Sequence, residues 1–528
     1  MHGQVVASRV SSTITSLLGR AYEMYADRPA VTGADGAVVS FDELRSRSLQ
    51  LVAGLHRLGV ERDDRVIMMM KNRRESFEIE HACFNGGFLR VGLSYRLHPQ
   101  EIVGIAKDCD ARAIFVDEEA GPATLQAIKS AGLDIRTITF DGLDGTPAYL
   151  ELFSGDEATP IAPDPEDIAW LPYTSGTTGQ PKGVMISHRT LVACVRNLMV
   201  ELPPITEHDR LLHVAPLTHL SGWVGLACIL RGASHLPMAS FDATRTLETI
   251  EQRGITLLPM VPTMINAMLP IAEGGSYDVS SVHTILYGGS AIAPDRLARA
   301  VKVFGEVFLQ GYGLTEVPFP LTSLSKDAHR FDHDQPAPER LASAGRVTPF
   351  VEVRLVTPDG TDAAEGELGE IWARGDITMS GYWNLPDETA AMIDADGWAA
   401  TGDVGKMVDG FMYIVDRKKD MIVSGGFNIF PREVENAILA LEGVDEVAVI
   451  GVPHEKWGEA VQAVVVRRDG FETTESDVIE ACRSRIASYK KPQSVKFVDE
   501  LPKTGSGKVM HRQLRDAAWA GHSRKVAG

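Results

Sequence analysis

Hydrophobic and polar residues repeat along the chain with the periods of helices and strands, and this pattern predicts the order of the elements. Ser40 is suited to cap a helix with an apolar face at helical spacing: Leu44, Leu51, Val52, Leu55 and Leu58. Gly59 is suited to end this helix, and residues 65–70 follow as an apolar run that indicates a buried strand. Such helices and strands keep alternating to about residue 320, which predicts a mainly parallel α/β architecture.

The pattern changes near residue 352. Residues 351–356 and 369–374 are short runs in which apolar and polar residues alternate, separated by turns that contain Gly and Asp. This alternation is typical of antiparallel strands with one buried face. We therefore expect a small antiparallel β region after the α/β part of the chain.

Past Asp416 the alternation of helices and strands returns in a compact form. The predicted elements are a helix over 431–441, strands over 444–452 and 461–466, and a helix from the cap Ser476 to about residue 487. Pro431 in the first turn of the first helix and Gly443 after its end support these limits.

These elements predict two domains, and the charged run at 416–420 is the candidate linker between them. We expect a large N-terminal domain over 1–416, in which mixed and parallel sheets pack with helices and the small β region. A hinge at 417–420 and a small, mobile α+β domain over 421–528 follow. The length of 528 residues supports the division, because a single core stops growing at about 250–300 residues.

Charge, cysteines and apolar runs exclude several classes of protein. The formal net charge of −19 argues against a general nucleic-acid-binding protein, which would present a basic face. Five scattered cysteines without a Cys-x-x-Cys pair indicate neither a zinc site nor a disulfide framework, so we expect a cytoplasmic protein. The N-terminus lacks the apolar core of a secretory signal. The most apolar run, 222–230, is far shorter than the roughly 20 residues of a transmembrane helix, so no transmembrane segment is expected.

The loop at 173–183 carries the densest group of chemically useful residues and follows the apolar run at 168–171. It combines four small hydroxyl residues, three glycines and a lysine. Glycines let backbone N–H groups converge on an anion, hydroxyls add donors, and the lysine supplies charge. The spacing is neither that of a Walker loop nor that of a dinucleotide loop. We interpret it as a loop that binds a triphosphate, in preference to a flexible surface loop.

Four further motifs follow this loop in a fixed order: 310–316 (QGYGLTE), 401–403 (TGD), 416–420 with 424–435, and 502–508 (PKTGSGK). Together with the loop at 173–184 they resemble the adenylate-forming superfamily, which groups acyl- and aryl-CoA synthetases, adenylation domains of peptide synthetases and beetle luciferases. The resemblance spans nearly the whole chain. The segment at 424–435 is similar to the CoA-ligase branch.

The resemblance implies a nucleotide site. Thr315 would contact the α-phosphate, Glu316 would hold Mg²⁺, and Asp403 and Arg417 would bind the ribose hydroxyls. Lys508 would bridge the substrate carboxylate and the α-phosphate and neutralise charge there. The implied phosphate loop comprises Thr174, Ser175, Gly176, Thr177, Thr178, Gly179 and Lys182. The implied adenine site comprises Gly288, Gly289, Ser290, Gln310, Gly311 and Tyr312.

The acid and thiol sides are implied by the same resemblance. His219 would stand at the wall between the carboxylate and the thiol tunnel, but Thr218 precedes it where the family usually has an aromatic residue. The other candidates for the substrate pocket are Trp223, Gly313, Val317, Pro318 and Phe319. Gly425 and Gly426 would line the thiol tunnel, and Lys419 would be the pivot of the hinge. The sequence does not choose among fatty, aromatic, alicyclic and terpenoid acids.

The implied reaction has two half-reactions that use ATP, Mg²⁺ and coenzyme A. The carboxylate attacks the α-phosphate to give an acyl adenylate and pyrophosphate, and a thiol then displaces AMP. Two alternatives stay open. One is a ligase that performs a single half-reaction with a partner, because Ala399-Ala400 and the segment 88–97 depart from the usual pattern. The other is a non-catalytic binding protein, against which Glu316 and Lys508 argue. Both a monomer and a homodimer are compatible with the sequence.

Overall fold

A computed structural model describes residues 12–143, 145–175, 181–275, 277–425, 427–503 and 509–520. The helices in this part of the chain are α1 (Ile14–Met24), α2 (Phe41–Arg57), α3 (Glu75–Gly86), α4 (Pro99–Asp108), α5 (Gly121–Ser130), α6 (His188–Glu201), α7 (Leu220–Ile229), α8 (Ala243–Arg253), α9 (Pro262–Gly274), α10 (Pro294–Phe304), α11 (Pro386–Met392), α12 (Pro431–Leu439), α13 (Glu475–Arg485) and α14 (His511–Ala518). None of them is both long enough and apolar enough to span a membrane.

The strands alternate with these helices over most of the chain. They are β1 (Pro29–Thr32), β2 (Val38–Ser40), β3 (Arg65–Met69), β4 (Leu89–Leu93), β5 (Ala111–Val116), β6 (Arg136–Thr139), β7 (Ile168–Trp170), β8 (Tyr173–Ser175), β9 (Pro181–Ser187), β10 (Arg210–His213), β11 (Ser234–Pro237), β12 (Leu257–Met260), β13 (Thr284–Gly288), β14 (Phe308–Tyr312), β15 (Thr322–Leu324), β16 (Arg346–Val347), β17 (Glu352–Val356), β18 (Gly369–Arg374), β19 (Gly381–Tyr382), β20 (Ala399–Val408), β21 (Phe411–Arg417), β22 (Ile422–Ser424), β23 (Phe427–Ile429), β24 (Val444–His454), β25 (Gly458–Arg467) and β26 (Ser494–Val498).

Two large sheets form the framework of the N-terminal part. One has nine strands in the order β16-β15-β14-β13-β12-β10-β11-β1-β2, and the other has eight, β19-β9-β7-β4-β3-β5-β6 with β8 paired to β9. The central strands of both sheets run parallel, whereas antiparallel pairs lie toward the edges. The prediction of a mainly parallel α/β architecture with mixed sheets is confirmed.

The two sheets share a hydrophobic core. Its buried residues include Trp170 of one sheet, Leu286 and Leu309 of the other, and Leu198 and Val224 of α6 and α7. Burying each such side chain contributes about 1.5–3 kcal/mol, so this core fixes the relative position of the strand ends that face it. Leu217, in the connection from β10 into α7, belongs to this core as well.

The beginning of α2 follows the predicted capping. The hydroxyl of Ser40 accepts a hydrogen bond from the backbone N–H of Glu43 at 3.1 Å, and the Glu43 carboxylate accepts one from the Ser40 N–H at 2.8 Å. This reciprocal pair satisfies two N–H groups that the helix leaves unpaired. Gly59, with φ of 80°, follows the helix in the left-handed region.

The small β region is a separate antiparallel sheet with the order β17-β18-β20-β21. The two strands predicted there occur as Glu352–Val356 and Gly369–Arg374. Their apolar faces pack with Val317 and Leu321, which follow β14 of the nine-stranded sheet. The β region thus lies beside the carboxyl end of β14.

The C-terminal part has its own sheet, β23-β22-β25-β24, with β26 paired parallel to β25. One predicted cap is wrong: α13 is capped by Thr474 and not by Ser476. Thr474 has extended backbone dihedrals, and its hydroxyl accepts from the Asp477 N–H at 3.3 Å while Asp477 accepts the Thr474 N–H at 2.8 Å. Ser476 lies inside the helix because the reciprocal pair with Asp477 requires a spacing of three residues.

Candidate nucleotide and acyl site

Asp403 of β20 connects its neighbouring strand β21 to the end of β14, which lies 91 residues earlier in the sequence. It lies on β20, opposite Arg417 of β21, and Arg417 Nε is 3.1 Å from Asp403 Oδ1. The hydroxyl of Tyr312, at the end of β14, donates to Asp403 Oδ2 at 2.6 Å. The Asp403 side chain is only 6% exposed, so this carboxylate depends on both partners. Burial raises the pKa of Tyr312 well above its usual value, and the charge of Asp403 adds to the shift, so Tyr312 stays a hydroxyl donor.

Glu316 lies four residues after the end of β14 and is the centre of a second group of contacts. Its Oε1 accepts from the hydroxyl of Tyr382 at 3.0 Å and, at the longer distance of 3.5 Å, from that of Thr174. The backbone N–H of Met379 donates to the carbonyl of Glu316 at 3.0 Å, which fixes the main chain. Burial raises the pKa of Tyr382, with Glu316 adding to the shift. A residue of the predicted phosphate loop and the predicted metal ligand are therefore neighbours.

Lys182 extends from β9 to the same place. Its Nζ donates to Glu388 Oε2 at 2.6 Å and lies 4.9 Å from the centroid of the Tyr382 ring. The Lys182 side chain is 10% exposed, so its charge is held by Glu388 and by the ring face. Thr174, Lys182 and Glu316 thus meet around Tyr382, and this cluster carries both charge and hydrogen-bond donors.

The predicted site also includes residues that the structure does not describe: Gly176, Thr177, Thr178, Gly179, Gly426, Lys508 and the side chain of Ser175. Thr315, between Gly313 and Glu316, is half-buried in the turn after β14. Gly289 and Ser290 are exposed directly after β13, and Gln310 is half-buried on β14. These positions lie at the carboxyl ends of neighbouring parallel strands, where ligands of open α/β sheets usually bind.

Three of the predicted glycines have a packing reason. Gly288 and Gly311 are paired on β13 and β14, and a Cβ atom on Gly288 would lie 2.6 Å from the Gly311 carbonyl oxygen. A Cβ on Gly311 would lie 1.9 Å from the ring of Phe319, and one on Gly313 would lie 2.8 Å from the Phe319 Cα. A side chain would therefore meet backbone at Gly288 and Gly313 and the Phe319 ring at Gly311, so the close approach of β13, β14 and Phe319 requires glycine at these positions.

The predicted hinge begins in a strand. Arg417 is the last residue of β21, and residues 418–420 form a turn. The Asp416 carboxylate accepts the backbone N–H of Arg417 at 2.7 Å and that of Arg432 at 2.9 Å, so it ties β21 to the start of α12. Burial lowers the pKa of Lys419, and the Lys419 carbonyl accepts a hydrogen bond from Arg515 of α14 at 3.3 Å.

Gly425 lies against an aromatic pair that the sequence did not indicate. Its N–H donates to the carbonyl of Trp457 at 3.0 Å, and a Cβ atom there would lie 3.3 Å from the Trp457 ring. Gly425 has φ of 58°, which also favours glycine. The Trp457 ring stacks on His454 with centroids 4.3 Å apart and an interplanar angle of 10°.

On the acyl side the predicted residues differ in exposure. His219 is exposed just before α7, and its Nδ1 lies 2.8 Å from the Thr218 hydroxyl. Trp223 is half-buried on α7, with its ring centroid 4.7 Å from that of Trp170. Val317 and Pro318 are buried, and both Trp223 and Tyr312 pack against the cluster that contains Val317. This cluster connects the acyl-side residues to the Asp403 group.

Comparison with known proteins decides the family. The model of the AMP-binding enzyme family matches residues 18–383, and that of the AMP-binding enzyme C-terminal domain matches residues 433–508. The chain belongs to the AMP-binding enzyme family. The first range contains the motifs at 173–184 and 310–316, and the second contains the motif at 502–508.

Relatives and solved structures agree with this assignment. A feruloyl-CoA synthase of Amycolatopsis sp. is 37% identical over 91% of this chain and 94% of that protein. The medium/long-chain-fatty-acid–CoA ligase FadD8 of Mycobacterium tuberculosis is 34% identical over 97% of this chain and 91% of that protein. The ATP-bound structure of MatB from Rhodopseudomonas palustris superposes with a TM-score of 0.85 at 28% identity and covers 96% of this chain and 99% of that one.

The predicted reaction class is confirmed with the family. This AMP-binding enzyme is an acid–thiol ligase, an AMP-forming acyl-CoA synthetase. It uses ATP to convert a carboxylic acid to an acyl adenylate and then to the CoA thioester. ATP and coenzyme A are therefore substrates.

Proposed function

We propose that both half-reactions take place at the one site in which Thr174, Lys182 and Glu316 meet, beside the Tyr312–Asp403–Arg417 group. The observation that carries this proposal is the contact of Thr174 with Glu316, together with the position of Lys182 over Tyr382. Two segments that are distant in the sequence meet here: the paired strands of Thr174 and Lys182 contribute a hydroxyl and a cation, and the segment after β14 contributes the Glu316 carboxylate. The hydroxyl and the cation suit the phosphate oxygens of a nucleotide, and the carboxylate suits the metal ion that accompanies them.

In the first half-reaction the carboxylate of the acid attacks the α-phosphate of ATP and pyrophosphate leaves. Lys182 and the loop that begins at Thr174 hold the departing pyrophosphate, and Thr315 contacts the α-phosphate. Lys508 neutralises charge that builds at the reacting phosphorus.

Glu316 is the proposed ligand of Mg²⁺. Among the described residues no group of three potential ligands occurs, and one carboxylate fits because Mg²⁺ is usually held by one or two carboxylates, phosphates and water. When bound, the ion would neutralise phosphate charge. Tyr382 and Thr174 orient Glu316 by donating to one of its oxygens, which leaves the other for a ligand.

The nucleoside is held by residues that already form contacts with one another. Asp403 and Arg417 bind the ribose hydroxyls, because a buried carboxylate held within a strand is a fixed acceptor for a diol. Tyr312 offers its ring to adenine while its hydroxyl fixes Asp403. Gly288–Ser290, Gln310 and Gly311 bound the base from the ends of β13 and β14.

The second half-reaction requires a different arrangement of the C-terminal part. We propose domains over 1–416 and 421–528, with a hinge at 417–420 and Lys419 as its pivot. Rotation there withdraws Lys508 and brings Gly425 and Gly426 toward the thiol, and His219 forms the wall between acid and thiol. A few dihedral changes at the turn 418–420 suffice for such motion.

The experiment is acid-dependent exchange of pyrophosphate into ATP, measured beside CoA thioester formation on one acid panel. The panel contains hydroxycinnamic acids and medium- and long-chain fatty acids, because relatives are named for both. We expect exchange and thioester formation with the same acids. Thioester only from a supplied adenylate would favour the single half-reaction alternative, and neither activity with any acid would contradict the proposal.

Two further expectations stay predictions. Cytoplasmic location is proposed because the five cysteines are free and buried, as suits a reducing compartment. A homodimer is a second open proposal, which the mass in solution tests directly.

A further inference from the structure

The connection between β10 and α7 carries His219 and is held by a side chain from the other large sheet. Asn72, shortly after β3, donates from Nδ2 to the carbonyl oxygens of His213 at 3.2 Å and Ala215 at 2.9 Å. Its Oδ1 accepts the N–H of Leu217 at 2.9 Å. Asn72 is 9% exposed, so these three hydrogen bonds replace a backbone ladder that the irregular segment lacks.

Arg90 on β4 holds the same segment from a second direction. Its Nη2 donates to the Leu217 carbonyl oxygen at 3.0 Å, and its Nε lies 2.7 Å from Glu80 Oε2 on α3. The Arg90 side chain is 2% exposed. A buried guanidinium without a counter-charge would be strongly unfavourable, so Glu80 is what allows Arg90 to occupy this place.

Arg90 is linked to Trp223 by the ring of Trp170, which contacts both residues. Its guanidinium lies 4.5 Å from the Trp170 ring centroid, and Trp170 meets Trp223 edge to face with centroids 4.7 Å apart. The same strand approaches the segment at Gly92, where a Cβ atom would lie 3.2 Å from Thr218 Cγ2 and 3.1 Å from Arg90 Nη1. The positions of the backbone before His219 and of the Trp223 ring therefore both depend on residues of β4.

We infer that Asn72 and Arg90, with Glu80 as the counter-charge of Arg90, are positioning residues that determine which acids the enzyme accepts. They act through the backbone at 213–217 and through the Trp170–Trp223 contact, and not on the reacting atoms. The inference rests on the proposed function, since that function places His219 at the wall between acid and thiol, and on the prediction that Trp223 lines the substrate pocket. It also gives a role to the segment 88–97, which the family motifs leave unexplained.

The test compares Asn72→Ala with Asn85→Ala. Asn85 is a matched control, because it is also a buried asparagine, 3% exposed, but it donates to Ser48 at 2.9 Å and not to the segment before α7. For each variant we would measure KM for ATP, kcat/KM for a short and a bulky acid, and the thermal unfolding midpoint. We expect Asn72→Ala to change the ratio of the two kcat/KM values at least about fivefold, with KM for ATP within about twofold. Asn85→Ala should lower the thermal unfolding midpoint and leave both the kcat/KM ratio and KM for ATP unchanged.

Gly92→Ala and a double variant keep the inference falsifiable if Asn72→Ala does not fold. The added methyl group of Gly92→Ala must move the Arg90 guanidinium and Thr218 by a few tenths of an ångström, so it should shift the acid ratio with little loss of stability. Glu80→Gln with Arg90→Met removes both charges together and leaves none unpaired, and it should shift the ratio as well.

The outcomes separate the inference from the function on which it rests. An active wild-type enzyme whose acid ratio is unchanged in Gly92→Ala and in each folded variant would overturn the inference alone. Equal changes in Asn72→Ala and Asn85→Ala would overturn it too, since they would indicate a general structural effect. A wild-type enzyme inactive on every acid would overturn the proposed function and the inference together.

Discussion

The proposed nucleotide side and the acyl side of this molecule are built in different ways. Tyr312, Asp403 and Arg417 each stand in a short motif, and they contact one another directly through their side chains. The segment that carries His219 has no comparable motif around it. It is held by Asn72, which follows β3, and by Arg90 on β4, both more than a hundred residues earlier. Short sequence motifs therefore identify the groups that supply charge and hydrogen bonds, whereas the shape of a pocket depends on packing between residues that are distant in the sequence. Variants of the two sides should therefore have different kinetic effects.

The largest effect is expected for Lys508→Ala, which removes the cation proposed to act only in adenylation. Pyrophosphate exchange should fall by about 10²–10³-fold, the usual cost of losing one group that stabilises transition-state charge. Thioester formation from a supplied acyl adenylate should stay within a few-fold of the wild-type rate. Equal loss of both activities would contradict the rotation of the C-terminal part.

The next effect is expected for Asp403→Ala on the nucleotide side. It removes an acceptor of charged hydrogen bonds, typically worth about 1.5–3 kcal/mol each, so KM for ATP should rise by about 10–100-fold. The rise should be the same for every acid, which steady-state kinetics on two acids would check. Asp362→Ala, at an exposed position bridged to Val356 in the same β region, is the control and should leave KM for ATP unchanged. A rise in KM for ATP that differs between the two acids would contradict the separation of the nucleotide side from the acyl side.

Trp223→Ala tests the acyl side: in contrast to Asp403→Ala, it should change the preference among acids and leave KM for ATP unchanged. Removing the ring changes the volume of the wall, so the kcat/KM ratio of a bulky to a short acid should rise by about 10-fold, within the range that pocket contacts usually supply. KM for ATP should stay within about twofold. A change in ATP binding with an unaltered acid ratio would place Trp223 outside the pocket.

The smallest effect is expected for Tyr312→Phe, which keeps the ring and removes only the hydroxyl that donates to Asp403. Asp403 keeps Arg417 as a partner, so we expect only part of the value of this charged hydrogen bond to be lost: about 1 kcal/mol, which corresponds to about a fivefold rise in KM for ATP. The measurement is KM for ATP at a saturating acid concentration. A rise as large as that of Asp403→Ala would mean that the hydroxyl, and not the ring, makes the main contribution.

The sequence was sufficient for the elements whose cause is local. Ser40 capped α2 as predicted because its partner Glu43 is three residues away, and the alternation after residue 351 identified the small β sheet. Where two hydroxyl residues competed locally, as Thr474 and Ser476 did, the prediction chose the wrong one. The deciding partner, Asp477, suits only a cap three residues before it.

Within the site, the sequence identified the residues that carry charge but not the residues that hold them. Tyr382 and Glu388 were missed, although both contact the Lys182 cluster, because Lys182 and Glu388 are 206 residues apart and neither Tyr382 nor Glu388 belongs to a recognisable motif. Trp457 beside Gly425 was missed for the same reason. Only the pairing of strands brings such residues together, and no local spacing encodes it.

The most direct test of the account is a single-turnover experiment with enzyme, ATP and a preferred acid, first without and then with coenzyme A. We expect acyl adenylate and pyrophosphate to appear in equal amounts before coenzyme A is added. Addition of coenzyme A should then convert the adenylate to thioester and AMP on the same enzyme. Pyrophosphate release without an adenylate, or an adenylate that coenzyme A does not consume, would contradict the claim that one site performs both half-reactions.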